Sequence, residues 1–328
     1  MKKLDIAIIG AGKIVQNYHL PLLRNIQGLN VTKIYDTDQP LNEKVAKLYN
    51  LKSCKNIEDT LGSDIFLIAT PVQFRDEYYY LLLNKNKSMF IEKPLTISSV
   101  RHEMLLKKNN ENSSTIYLGL MRRYFKNVQM AIQLLKNNFV GRCIKIKATE
   151  GKSPNGQKLG IDNFHYQNSR YGNVLLETGV HLIDEVFYIL EVEKFIIINL
   201  TNNKASDFIY DTELDLELLT SKNEKIPCNF KISYTKTLCS NIIFYCENGE
   251  IILKNDNPNK ILIKKNNIIF EIDSNKFNKF ASNVLEAFYL EWLDFLNCYN
   301  KRKYDTNPIN SLNVTKLIED ASANIWDS

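Results

Sequence analysis

Apolar residues in the first third of the chain fall into short β-rich runs separated by stretches with helical spacing. The runs are LDIAII (4–9), NVTKIYD (30–36), DIFLIAT (64–70), SMFIE (88–92) and STIYLGL (114–120). Helices are expected between them, near 13–26, 41–49, 73–84 and 98–109. Such alternation builds βαβ units on a parallel sheet. The expected fold class is therefore α/β, with an N-terminal doubly wound, Rossmann-like domain whose ligands sit at the carboxyl ends of its strands.

Beyond a further helix at 127–136 the pattern changes, and extended runs dominate from about 142 to 271. They include RCIKIKATE, KFIIINL, DTELDLELL, CNFKISYTK, NIIFYC, EIILK and KILIKK. Alternating polar and apolar positions imply a largely antiparallel open sheet in a C-terminal α+β domain. A helix, VLLETGVHLIDEVFYIL (174–190), is embedded between the first two of these strands. Val174, Val180, Ile183, Phe187 and Leu190 form its apolar stripe, while Glu177, His181, Asp184 and Tyr188 fall on another face. Two helices near 279–298 and 309–322 close the chain. The boundary is placed at Met121, giving a dinucleotide-binding domain at 1–121 and a substrate-binding and oligomerisation domain at 122–328.

A chain of 328 residues exceeds one typical core, in keeping with two domains. Its 44% apolar and 24% charged residues are those of an ordinary globular protein. The net charge of +5 comes from scattered lysines with no nucleic-acid motif, so no nucleic-acid partner is expected. Six cysteines show neither a C-x-x-C pair nor histidines at zinc spacing, so no metal is expected and free thiols in a reducing cytosol fit. Asp5 and a glycine turn break the opening apolar run too early for a signal peptide, and no stretch reaches the roughly 20 apolar residues of a membrane span. The expected location is cytoplasmic, without membrane contact.

One segment carries neither period: GKSPNGQKLGIDNFHYQNSRYG, from Gly151 to Gly172. A polar, glycine-rich stretch of this length inside a domain suggests a loop over a ligand. Lys152, His165, Tyr166 and Arg170, with Arg122 and Arg123 after the last Rossmann strand, are candidates to grip phosphates or sugar hydroxyls.

The chemistry-bearing motifs lie at strand ends. In IIGAGKIV, Gly10 permits a tight turn and Gly12 lets backbone approach a pyrophosphate, with Lys13 and Ile14 opening the helix; Val15 stands at the third glycine position. Asp36, ending the second strand, suits the adenosine ribose and repels a 2′-phosphate, which favours NAD over NADP. Thr70 and Pro71 end the third strand at the crevice. Glu92 and Lys93 end the fourth, and Pro94 restricts the Lys93 backbone to extended geometry or allows a cis bond. His19, in NYHLP, is read as supporting helix packing.

Together IIGAGKIVQNYHLP, the strand ending in ATP, EKP and ExxxHxxD resemble the glucose-fructose oxidoreductase/inositol dehydrogenase (Gfo/Idh/MocA) family over nearly the whole chain. The resemblance implies a Rossmann domain followed by an α/β domain with an open sheet. It also implies a nicotinamide cofactor, a sugar, cyclitol or sugar-nucleotide substrate, and homodimers or homotetramers packed through that sheet. Carried over by position, it makes Lys93, Glu177 and His181 the catalytic set and Asp184 a substrate ligand. Glu177 replaces the usual Asp, and Arg75 replaces a common His.

That set is chemically coherent. His181 suits a general base taking a hydroxyl proton near neutrality. The Lys93 ammonium would stabilise the developing alkoxide, and Glu177 would orient either group. Two rivals stand beside hydride transfer: a non-catalytic sensor that keeps fold and cofactor, and a glycosidase that uses tightly held NAD transiently.

Overall fold

The structure is a computed structural model, described for residues 3–111, 114–151, 173–205, 208–273, 277–301 and 311–326. The loop expected at 151–172, with Lys152, His165, Tyr166 and Arg170, lies outside the described residues apart from Gly151. Internal contacts divide the chain into Met1–Leu120 with Phe288–Leu312, and Met121–Ala287 with Asn313–Ser328. This corrects a contiguous second domain: aromatic residues from Phe288 onward pack with the first unit, a link that sequence spacing does not reveal.

In the first unit, strands β1 (Leu4–Ile9), β2 (Leu29–Tyr35), β3 (Lys52–Ser53), β4 (Ile65–Ile68), β5 (Ser88–Glu92) and β6 (Ile116–Gly119) form one sheet in the order β3-β2-β1-β4-β5-β6. Every pairing is parallel. Strands β4, β5 and β6 are buried at every position, because helices cover both faces of a doubly wound sheet. The helices are α1 (Leu20–Leu23), α2 (Gln39–Tyr49), α3 (Asp76–Asn84) and α4 (Ser99–Glu111). One core cluster joins Ile9, Ile68 and Ile91 of the sheet to Tyr79, Leu82 and Leu83 of α3. Each such apolar side chain contributes about 1.5–3 kcal/mol on burial. Asp38 caps α2 by accepting from Leu41 N at 3.0 Å, and Asn50 closes it in the left-handed region. Sequence reading missed β3, whose two residues are too few to show a period.

The second unit contains α5 (Lys126–Lys136), β7 (Cys143–Gly151), α6 (Val180–Leu190) and β8 (Val192–Ala205). It continues with β9 (Phe208–Thr220), β10 (Lys225–Ser233), β11 (Leu238–Cys246), β12 (Gly249–Lys254), β13 (Lys260–Lys265) and β14 (Ile268–Asp273). The strand order is β14-β13-β12-β11-β7-β10-β9-β8. All pairs are antiparallel except β7 with β10. Leu214, Leu216 and Leu218 of β9 are buried, while Glu213, Asp215 and Glu217 between them are partly exposed, the alternation of a sheet with one covered face. Helix α5 packs on α6 and on β12 and β13. Helices α7 (Val284–Lys301) and α8 (Leu312–Trp326) complete the fold. Among the described residues no helix is long and apolar enough to cross a membrane, and no cluster of His, Cys, Asp or Glu could hold a metal ion.

Candidate active site

The first unit gathers Gly10, Gly12, Asp36, Thr70, Pro71, Glu92 and Lys93 along the carboxyl ends of β1, β2, β4 and β5. Gly10 has φ +104°, and a Cβ there would lie 2.7 Å from the Ala69 carbonyl oxygen, so the turn admits glycine alone. At Gly12 a Cβ would meet nothing within 4 Å among the described residues, leaving space above the turn. Asp36 braces this turn: Oδ2 accepts from Ala11 N at 2.6 Å and Oδ1 from Asp38 N at 2.9 Å. Lys13 is exposed and Ile14 half-buried. Val15 is fully buried and begins a π-helical turn, Val15–His19, so the missing third glycine coincides with a widened first turn.

At the end of β4, the Thr70 hydroxyl is buried with no hydrogen-bond partner among the described residues. An orphaned hydroxyl beside a glycine turn that is open above it fits a dinucleotide better than a sealed core, since buried polar atoms are otherwise paired. The residues present therefore fit a nicotinamide dinucleotide, with Gly10, Gly12, Asp36 and Thr70 as the groups that would hold it.

Lys93 is half-buried and the Lys93–Pro94 bond is cis. Glu92, expected beside the cofactor, is paired inside the unit. Its carboxylate is buried, accepts from His19 Nε2 at 2.7 Å and from Lys93 N at 3.2 Å, and so is spent inside the unit. His19 in turn accepts from Trp292 Nε1 at 3.0 Å. Arg75, with 5% exposure, donates to the carbonyls of Thr70 at 2.7 Å, of Glu92 and Pro94, and of Lys93 at 3.5 Å.

In the second unit, the expected helix 174–190 begins with a π-helical stretch, Leu175–Gly179, before α6. Single-turn π segments recur at functional sites, and this one carries Glu177 and leads to His181. Both side chains are half-buried. Glu177 Oε2 accepts from Tyr234 OH at 2.8 Å; burial, then the neighbouring Glu177 charge, raises the Tyr234 phenol above its ordinary range. Tyr234 escaped sequence analysis because it follows β10 as one aromatic among seventeen tyrosines. Gly179 is explained by packing: a Cβ would sit 3.1 Å from both Ile232 Cδ1 and Leu175 Cδ2.

Two expected substrate ligands are engaged in internal ion pairs. Asp184 is 2% exposed and both its oxygens accept from Arg123, at 2.9 and 2.6 Å. Arg122 binds Glu150 through two bonds of 2.8 Å and Glu185 at 3.1 Å. On α6 the face carrying Asp184 turns inward toward the two arginines, because a buried carboxylate without a cation is costly. Burial, with Glu150 adding to it and Arg122 opposing it, pushes the Glu185 carboxyl up to about 7.

Residues 4–120 match the oxidoreductase family GFO_IDH_MocA, NAD-binding Rossmann fold. Glucose-6-phosphate 3-dehydrogenase of Bacillus subtilis (strain 168) is 29% identical over 193 residues, covering 58% of this chain and 54% of that protein. The chain thus spans about half the length of this curated relative. 4-Carboxy-2-hydroxymuconate-6-semialdehyde dehydrogenase of Sphingobium sp. is 22% identical over 259 residues, 77% of this chain and 80% of that one. Among solved structures, KijD10, a 3-ketoreductase from Actinomadura kijaniata in complex with NADP and TDP-benzene, superposes with a TM-score of 0.81 at 16% identity. That superposition covers 97% of this chain and 96% of that one, and at such identity it bears on fold alone. The glycine turn, the Asp36 brace and the EKP strand end all lie in the matched segment, so residues 4–120 are similar to the NAD-binding Rossmann domain of the Gfo/Idh/MocA oxidoreductase family.

Proposed function

We propose that the chain transfers a hydride between a nicotinamide dinucleotide and a secondary hydroxyl of a sugar, cyclitol or sugar nucleotide. The observation that carries this is Lys93: an ammonium at the carboxyl end of β5, in line with the glycine turn of β1, with its backbone fixed on either side. The nicotinamide, when bound, supplies the hydride acceptor. Lys93 holds the negative charge that develops on the substrate oxygen. His181 takes the hydroxyl proton in oxidation and returns it in reduction. Glu177, held by Tyr234, lies one turn before His181 on the same helical segment and orients its imidazole.

NAD is the preferred cofactor, because the Asp36 carboxylate at the end of β2 opposes a 2′-phosphate. A carbohydrate substrate is supported by the relative named for glucose 6-phosphate. Self-association is expected through the eight-stranded sheet. Its edge strands β8 and β14 expose Ile196, Ile198, Ile268, Ile269 and Phe270.

The test is a screen of glucose 6-phosphate, myo-inositol and TDP-sugars with NAD and NADP, read by reduced-nicotinamide absorbance. Lys93→Ala and His181→Ala should each lose turnover while keeping NADH affinity. Reducing-sugar release without net NADH would instead favour the glycosidase reading, and NADH binding with no turnover of any sugar the sensor.

A further inference from the structure

Four successive carbonyls, those of Glu92, Lys93, Pro94 and Leu95, each accept a hydrogen bond from a side chain of the α3 region. Arg75 serves the first three, and Tyr79 OH donates to the fourth at 2.6 Å. Glu92 is the last β5 residue in the ladder, and the next three lie past it, so their carbonyls have no β5–β6 pairing to satisfy them. A guanidinium suits the task because its fork presents several fixed donors at once. Its Nε also holds Thr70 O, so the ends of β4 and β5 are tied by one buried cation.

The other side of Lys93 is held through a relay that reaches 273 residues along the chain. Indole Nε1 is a donor only, so the His19 Nδ1 that it meets at 3.0 Å must be the acceptor. The ring proton therefore resides on Nε2, which lies 2.7 Å from Glu92 Oε1. The second Glu92 oxygen accepts from Lys93 N. His19 is fully buried, and Phe90, Phe288 and Trp292 stand edge-on to its ring. Glu291, also buried, precedes Trp292 on the same helix. Burial alone would raise the Glu92 carboxyl, yet the His19 bond, with the charges of Lys93 and Arg75, holds it below its ordinary value.

We propose that Arg75, and Trp292 acting through the His19 tautomer and Glu92, are positioning residues that fix Lys93 at the site. The indole N–H donates to the imidazole, the imidazole N–H donates to the carboxylate, and the carboxylate also accepts from Lys93 N; the other His19 tautomer would leave two donors, Nδ1–H and the indole N–H, facing each other. This inference rests on the role of Lys93 proposed above.

The experiment has two parts. Nitrogen-15 spectra of histidine-labelled wild-type protein read the His19 tautomer without any substrate; an unprotonated Nδ1 is expected, and a protonated Nδ1 overturns the relay. Kinetics are then compared for Trp292→Phe, His19→Leu, His19→Gln, Arg75→Lys and Lys93→Ala, using the screened sugar that turns over fastest. Trp292→Phe, His19→Leu and Arg75→Lys should lower kcat about 10- to 100-fold with KM and NADH affinity within about threefold, the scale of a misplaced catalytic group. His19→Gln, whose amide can still donate to Glu92, should recover most of that loss. Wild-type kcat in Trp292→Phe and His19→Leu, with Lys93→Ala inactive, overturns the positioning role and leaves the Lys93 role standing. An active Lys93→Ala takes both down. Equal losses in His19→Gln and His19→Leu point to packing alone and also overturn it.

Discussion

Replacing Glu185 by Gln removes one carboxylate from a cluster that holds one too many. Arg122 and Arg123 bring two positive charges to Glu150, Glu185 and Asp184. Glu185 is 1% exposed, so its charge is poorly solvated, and its carboxyl sits at about 7 against an ordinary 4.5. Between those values the folded state keeps a proton that the unfolded chain has released, so stability falls as pH rises through the window. At about 1.4 kcal/mol per pH unit, the ionised side chain costs on the order of 3 kcal/mol at pH 8 and under about 1 kcal/mol at pH 5. Arg122 retains both bonds to Glu150, so the amide leaves no cation unpaired. Urea unfolding at pH 5 and pH 8 should show Glu185→Gln more stable than wild type by about 1–3 kcal/mol at pH 8, with little difference at pH 5. The sugar KM should not change, because this cluster is internal. A variant less stable than wild type at pH 8 would refute the reasoning, since it would make the ionised carboxylate a net stabilising partner of Arg122.

Gly10→Ala should lose about 2 kcal/mol or more and most NADH affinity by fluorescence titration, because the methyl meets Ala69 O at 2.7 Å. Wild-type affinity would dissociate the turn from the cofactor. Asp36→Ser should raise the kcat/KM ratio of NADP over NAD at least about tenfold while weakening NAD binding, since Ala11 N loses its acceptor; an unchanged ratio would remove Asp36 from cofactor choice. Tyr234→Phe deletes the donor to Glu177 and should lower kcat about tenfold and stability by about 1–3 kcal/mol; wild-type kcat would leave Glu177 held by other contacts.

The first unit was legible because five of its strands are long enough to show a β-rich run and each is punctuated by turn residues. EKP and the glycine pair stood out since position at a strand end changes what Lys93, Gly10 and Gly12 can do. The partners of those residues did not stand out. Trp292 and His19 are joined only by folding, and nothing in the spacing of α7 marks one tryptophan as a hydrogen-bond donor. Periodicity also misled on α6. It placed Asp184 with His181 on a polar face, but one turn of helix separates a half-buried imidazole from a carboxylate sealed by Arg123. Polar patterning identifies residues that are not apolar core; only the partner across the interior tells a ligand from an internal ion pair. The same holds for Arg75, which replaces a histidine of the family pattern and proves to hold backbone carbonyls.

The claim beneath all of this is that hydride passes between a carbinol carbon and the cofactor. The direct measurement uses the best sugar from the screen with deuterium at the carbon to be oxidised, and follows the label by mass spectrometry of the reduced cofactor. The account predicts one deuterium on the nicotinamide for each sugar oxidised, and none transferred by Lys93→Ala. Label washed into solvent, or sugar consumed with the cofactor unlabelled, would contradict it.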